Sequence, residues 1–265
     1  MVNHDDLVAR ARGGERAALE ALMRDMKDLV YGLAARMLGN PSDADDATQE
    51  ILIQLVTSLG SFRGDSAFRT WVYRVASNHL LTARGKRAKH AAESFDELAS
   101  YLEAGVGSPV SPSSDALLIH EAKLACTSTM LHCLDRDHRL AYILGEILDL
   151  ASEEAAAILE IESDAYRKRL SRARTRMEEF LRSTCGLVDR GNACRCAKQG
   201  ANAVAHGKVS VDRLTWVHRA KQQPVAEIDA LARAVEVFRT ELAAPDSVVE
   251  ELRALIAGGE LALLS

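Results

Sequence analysis

What most limits the fold of this chain is how little in it would interrupt a helix. Over 265 residues there are only 5 prolines and 16 glycines, Ala and Leu are abundant, and no run of alternating β-branched residues appears. The expected fold class is therefore all-α. A hydrophobic content of 48% is ample for buried cores, and the length suits two or three compact domains. No stretch reaches the roughly 18 apolar residues of a membrane span. The opening MVNHDDLVARARGG lacks the apolar core of a signal peptide, so the expected location is cytoplasmic.

Helical periodicity runs from Asp5 to about Lys89 and breaks at LGNPSDADD. There Gly39, Asn40 and Pro41 end one helix, and Ser42 or Asp43 can cap the next. Residues 1–92 form a first module. Residues 93–114 read as a flexible linker with one short helical turn at most, because SFDELASYLEAGVGSPVSPSS gathers proline, glycine and serine. Residues 115–183 form a second module with two helical patterns joined near Glu160 to Ser163, a helix-turn-helix spacing. Residues 184–265 form a Cys-containing helical extension. One face there carries Ile228, Leu231, Val235, Phe238 and Leu242, and a last helix carries Val248, Val249, Leu252 and Leu255 behind a Ser247/Glu250 capping box.

Charge is distributed unevenly. The net charge is −5, yet residues 66–90, SAFRTWVYRVASNHLLTARGKRAKH, hold Arg69, Arg74, Arg84, Lys86, Arg87 and Lys89 and no acid. On a helix Phe68, Val72, Val75 and His79 share a core face, and Trp71, Arg74, Asn78 and Thr82 share a neighbouring arc. A flat aromatic, a guanidinium and an amide are the groups that stack on bases, pair with phosphate and bond base edges in single strands. Arg84, Lys86 and Arg87 continue as a phosphate-binding tail. The alternative is a solvated basic helix with Trp71 buried.

Upstream, Asp43, Asp45, Asp46 and Glu50 crowd a helix start. Capping and the helix dipole account for one or two of them. The surplus suits a surface for a basic protein partner, with a carboxylate metal site as a further reading. In the second module SDAYRKRLSRARTR places Tyr166, Leu170, Ala173 and Met177 on an apolar side and leaves Lys168, Ser171, Arg172 and Thr175 facing out. A basic second helix on a support helix is the arrangement that enters a DNA major groove.

Taken together, DADDATQEILIQLVTSLGSFRGDSAFRTWVYRVASNHLLTARGKR and LDRDHRLAYILGEILDLASEEAAAILEIESDAYRKRLSRARTRMEEFL resemble regions 2 and 4 of the extracytoplasmic-function group of the sigma-70 family. These are the promoter-recognition subunits of bacterial RNA polymerase. The resemblance spans about residues 5–183. It implies a non-enzymatic initiation factor whose partners are core polymerase and promoter DNA, with an anti-sigma factor as a further candidate that the sequence leaves open. Asp43, Asp45, Asp46, Gln49 and Glu50 would dock on the polymerase β′ clamp. Arg69, Trp71, Arg74, Asn78, Thr82, Arg84, Lys86 and Arg87 would melt and read the −10 element. Arg167, Lys168, Arg169, Ser171 and Arg172 would read the −35 duplex. Two departures stand out: Glu160 occupies the place of a turn glycine, and Glu162, Ser163 and Asp164 replace a small cap.

The resemblance requires no cofactor, but the extension opens with Cys185, Cys194, Cys196 and His206, spaced C-x8-C-x-C-x9-H. Three thiols and an imidazole suit tetrahedral zinc. A thiol redox switch and simple packing of an irregular turn are the other readings. Cys126 and Cys133 read as core. The final helices have too little apolar surface to stand alone, so they are expected to pack on a preceding module and adjust its availability. A DNA-binding one-component regulator sensing metal or redox state is the competing function. No nucleophile–base pairing, phosphate loop or HExxH pattern supports an enzyme.

Overall fold

The computed structural model describes residues 4–82, 94–220 and 237–257. These are helical, with no strand beyond two isolated bridges, Cys185 with Cys194 and Ser210 with Arg213. The chain divides into two compact units, residues 1–87, 156–161 and 242–265 in one and 88–155 and 162–241 in the other.

The first unit is built on a long helix. After α1 (His4–Arg12), α2 (Arg16–Leu38) buries Leu19, Leu22, Met23, Met26, Val30, Leu33 and Met37 at helical spacing. Gly39 ends it at φ 68°, a left-handed conformation that glycine adopts without a Cβ clash. Helix α3 (Pro41–Ser58) starts immediately, with Pro41 in its first turn. Its cap is Asn40, whose side-chain oxygen accepts from the amides of Ser42 and Asp43; the caps expected from sequence were those two recipients. A 3-10 turn over Leu59–Ser61 and a short loop, in place of the continuous helix expected there, precede α4 (Phe68–Thr82).

In the second unit the expected linker carries α5 (Phe95–Gly107), a 13-residue helix. The hydroxyl of Ser94 accepts from the Glu97 amide, Asp96 and Glu97 suit the positive helix end, and Leu98 and Leu102 are buried one turn apart. The Pro- and Ser-rich part is confined to the residues after it. Helix α6 (Ala116–His132) turns tightly into α7 (Arg136–Tyr142), which runs on as a π-helical turn over Ile143–Ile147. The guanidinium of Arg139, buried at that turn, donates to the carbonyls of Leu131 and Leu134 at 2.9 and 3.0 Å. Desolvation holds its pKa down to about 10. The helix-turn-helix follows as α8 (Ser152–Ile158) and α9 (Ser163–Thr184), and α10 (Cys196–Ala205) packs on α5 and α6.

The extension contributes to both units. In the second, the Glu121 carboxylate, 2% exposed, accepts from the amides of Thr215, Trp216 and Val217 at 2.8 to 2.9 Å. Gln199 donates to the Leu102 carbonyl and Asn202 to that of Gly105. In the first, α11 (Asp246–Ala257) lies on α2 and α3 and buries Val248, Val249, Leu252 and Ile256. Ile256 replaces the expected Leu255, and the helix begins one residue ahead of the expected Ser247 cap. Ile228, Leu231 and Val235 fall outside the described residues.

Candidate nucleic-acid interface

On α3 the side chain of Asn40 already satisfies the first amides, so the acids are free of that duty. Asp46 and Glu50 stand exposed one turn apart, with Asp43, Asp45 and Gln49 half-buried beside them. Glu50 also lies 3.2 Å from His79 Nε2, which links the acidic helix to α4.

Helix α4 buries a wider stripe than expected. Phe68 and Val72 are inside, together with Thr70, Tyr73, Ala76, Ser77 and Leu80, whereas Val75 and His79 are only half-buried. Trp71 is half-exposed and sits in an aromatic cluster, stacked on Phe68 with centroids 5.6 Å apart and tilted against Phe62 at 5.5 Å. Phe62 comes from the loop that sequence periodicity had merged into a helix, which is why the cluster was missed. Beyond Trp71, Arg74 is half-buried and Arg69, Asn78 and Thr82 are exposed. The Thr82 hydroxyl donates to the carbonyls of Asn78 and His79, so of this arc Asn78 offers the freer polar side chain. Arg84, Lys86 and Arg87 lie outside the described residues.

In the helix-turn-helix, Glu160 does adopt φ 53°, the left-handed conformation anticipated for that turn. Helix α9 seats Tyr166, Leu170, Ala173 and Met177 inside. The Tyr166 hydroxyl donates to the Ala141 carbonyl at 3.1 Å. Gly145 makes this approach possible, because a Cβ there would stand 2.7 Å from both Tyr166 Oη and Leu170 Cδ2.

The arginines of α9 are sorted by their partners. Arg167 pairs with Asp164 and Glu153, Arg169 with Asp137, Arg174 with Glu146 and Arg176 with Asp135. Arg167 holds the Asp164 carboxyl below its usual pKa and also offsets its charge at the helix start. Lys168, Ser171 and Arg172 remain exposed on one side of the helix.

The expected zinc set is not brought together. Among the described residues no group of three or more His, Cys, Asp or Glu side chains is placed to hold a metal ion. His206 lies at the C-terminal end of α10, exposed, with Nδ1 2.8 Å from the Asn202 carbonyl. Cys126, expected in the core, has its thiol enclosed by protein and lines a small cavity of about 40 Å³ with Cys185, Cys196 and Met130. Burial pushes the Cys126 thiol well up and Cys196 up to about 12, so these are protonated, weakly nucleophilic thiols at neutral pH.

Residues 22–90, which hold the acidic stripe and the α4 arc, match sigma-70 region 2. The RNA polymerase sigma-H factor of Pseudomonas aeruginosa is 30% identical over 179 residues, covering 66% of this chain and 92% of that protein. The chain belongs to the extracytoplasmic-function group of the sigma-70 family. The sigma-E factor of Escherichia coli strain K12 is 33% identical over 171 residues, 63% of this sigma factor and 88% of that one. A solved structure of CnrH in complex with the cytosolic domain of CnrY gives a TM-score of 0.48 at 25% identity, covering 67% of this chain and 96% of that one. By its region 2 match and its curated relatives, this sigma factor acts in transcription initiation.

Proposed function

We propose that this sigma factor docks on the core polymerase clamp through Asp43, Asp45, Asp46, Gln49 and Glu50, and captures the melted −10 strand with the α4 arc around Trp71, Arg74 and Asn78. The observation that carries the proposal is that arc: a half-exposed indole tilted against Phe62 and stacked on Phe68, one turn from a guanidinium and two turns from an exposed amide. Stacking is sequence-tolerant and contributes about 1–3 kcal/mol per base, while the amide supplies edge recognition. An acidic protein can hold DNA this way because its positive groups are local and its acids face a protein.

Helix α9 reads the −35 duplex with Lys168, Ser171 and Arg172, while Arg167 and Arg169 set its position through their ion pairs. No chemistry is catalysed by the factor itself, and its place of action is the cytoplasm, where core polymerase works. Among the described residues no helix is long and apolar enough to cross a membrane.

Run-off transcription with purified core polymerase tests the reading. Asn78→Ala is expected to lower open-complex formation about tenfold while closed-promoter binding persists, and Trp71→Ala to do the same with an added loss of stability. Asp46→Ala with Glu50→Ala is expected to weaken polymerase binding with opening unaffected once bound. Equal losses in closed and open complexes for Asn78→Ala would remove the single-strand role.

A further inference from the structure

We propose that α11 is an intramolecular cover on the polymerase-docking module, occupying the groove between α2 and α3 until a partner displaces it. The proposal rests on the docking role given above to α3.

The register of α11 is specific. Asp246 pairs with Lys27 at 2.7 Å and Arg253 with Glu20 at 3.0 Å. The two pairs are separated by the same number of residues on each helix and in opposite order, so α11 runs antiparallel to α2 with about two turns in step. The Ala244 amide, donating to Asp28 at 3.1 Å, fixes the entry of the chain. Between these anchors Val248, Val249, Leu252 and Ile256 are all buried. The helix meets α3 as well as α2, and α3 is the element that carries the docking acids.

Two observations make this a displaceable cover. A helix of 12 residues is marginal alone, so its folding and its docking are one event, and releasing it also melts it. Its ion pairs open to solvent on its own side, Asp246 being 91% and Arg253 43% exposed, so retention depends mainly on four apolar side chains. In addition, the module is complete without it. The match to the P. aeruginosa sigma factor spans 179 residues and covers 92% of that protein, which is fewer residues than separate the start of region 2 at residue 22 from α11. A sigma factor thus works with no counterpart of this helix, and here the added helix lies on α3 itself while Asp46 and Glu50 stay exposed.

The test compares the full-length factor, full-length Leu252→Asp and a chain ending at Glu241 in titrations of core RNA polymerase. Both altered proteins are expected to bind about tenfold more tightly, since the competent fraction rises from about a tenth to nearly one. Amide hydrogen exchange should quicken on α2 and α3 in both while the rest of the first unit keeps its protection. A peptide of residues 242–265 added to the shortened chain should restore the weaker binding. Equal or weaker polymerase affinity of the shortened chain would overturn the proposal. If the gain appears but Asp46→Ala with Glu50→Ala leaves affinity unchanged in the shortened chain, the cover stands and the docking role of α3 fails.

Discussion

Glu160 sits at φ 53° in the turn of the helix-turn-helix, where an L side chain brings its Cβ close to the following carbonyl. The residue type was visible in the sequence, and the torsion supplies the strain it implied. Glu160→Gly relieves roughly 1–2 kcal/mol of that strain and returns about half as backbone entropy, so chemical denaturation should register a net gain of about 0.5–1 kcal/mol. His120 is a different case, since nothing in its spacing on α6 marked it. It is 4% exposed, and neither ring nitrogen has a hydrogen-bond partner. Desolvation, and then the Lys123 charge, lower its pKa from the usual 6.5. The unfolded chain therefore binds a proton that the folded one refuses. Stability from this group is at its plateau above the unfolded pKa and falls as pH drops through about 6.5 toward the lower folded value. Thermal melts at pH 7.5 and 5.5 should show the drop, and His120→Leu should lessen it.

At the level of elements, α9 separates arginines that hold the helix from groups that face outward. Composition could count its basic residues but not divide them, because the acids that engage Arg169, Arg174 and Arg176 come from Asp137, Glu146 and Asp135, far back in the chain. Arg172→Ala is expected to weaken duplex binding to the −35 element and to reduce the salt slope by about one, at unchanged melting temperature. Arg174→Ala should do the reverse, lowering stability by about 0.5–1 kcal/mol and leaving the salt slope alone. The opposite pattern in a fluorescence anisotropy titration would reverse the two roles. In α5 the misjudgement has a similar origin: the proline and serine residues near 108–114 coloured a whole segment whose first part is capped and amphipathic. The cysteines make the same point. C-x8-C-x-C was legible, but their thiol neighbour is Cys126, contributed by α6 and invisible to spacing, while His206 turns to its own helix.

For the whole molecule, the order of the two motifs and the position of the segment between them already identified the family, and the match over residues 22–90 and the relatives bear that out. Fold class, the acidic helix start, the α4 arc and the apolar side of α9 were all readable because each depends on residues within a few turns of one another. Periodicity, capping and charge runs are local, and local information survives in sequence. What the tertiary structure alone decided depends on partners remote in sequence. It paired α11 with α2 across more than two hundred residues, it clustered Phe62 with Trp71, and it divided the arginines of α9 into those engaged by acids and those left outward. Such pairings minimise exposed apolar surface and unpaired charge over the whole chain, and no window of neighbouring residues contains that balance.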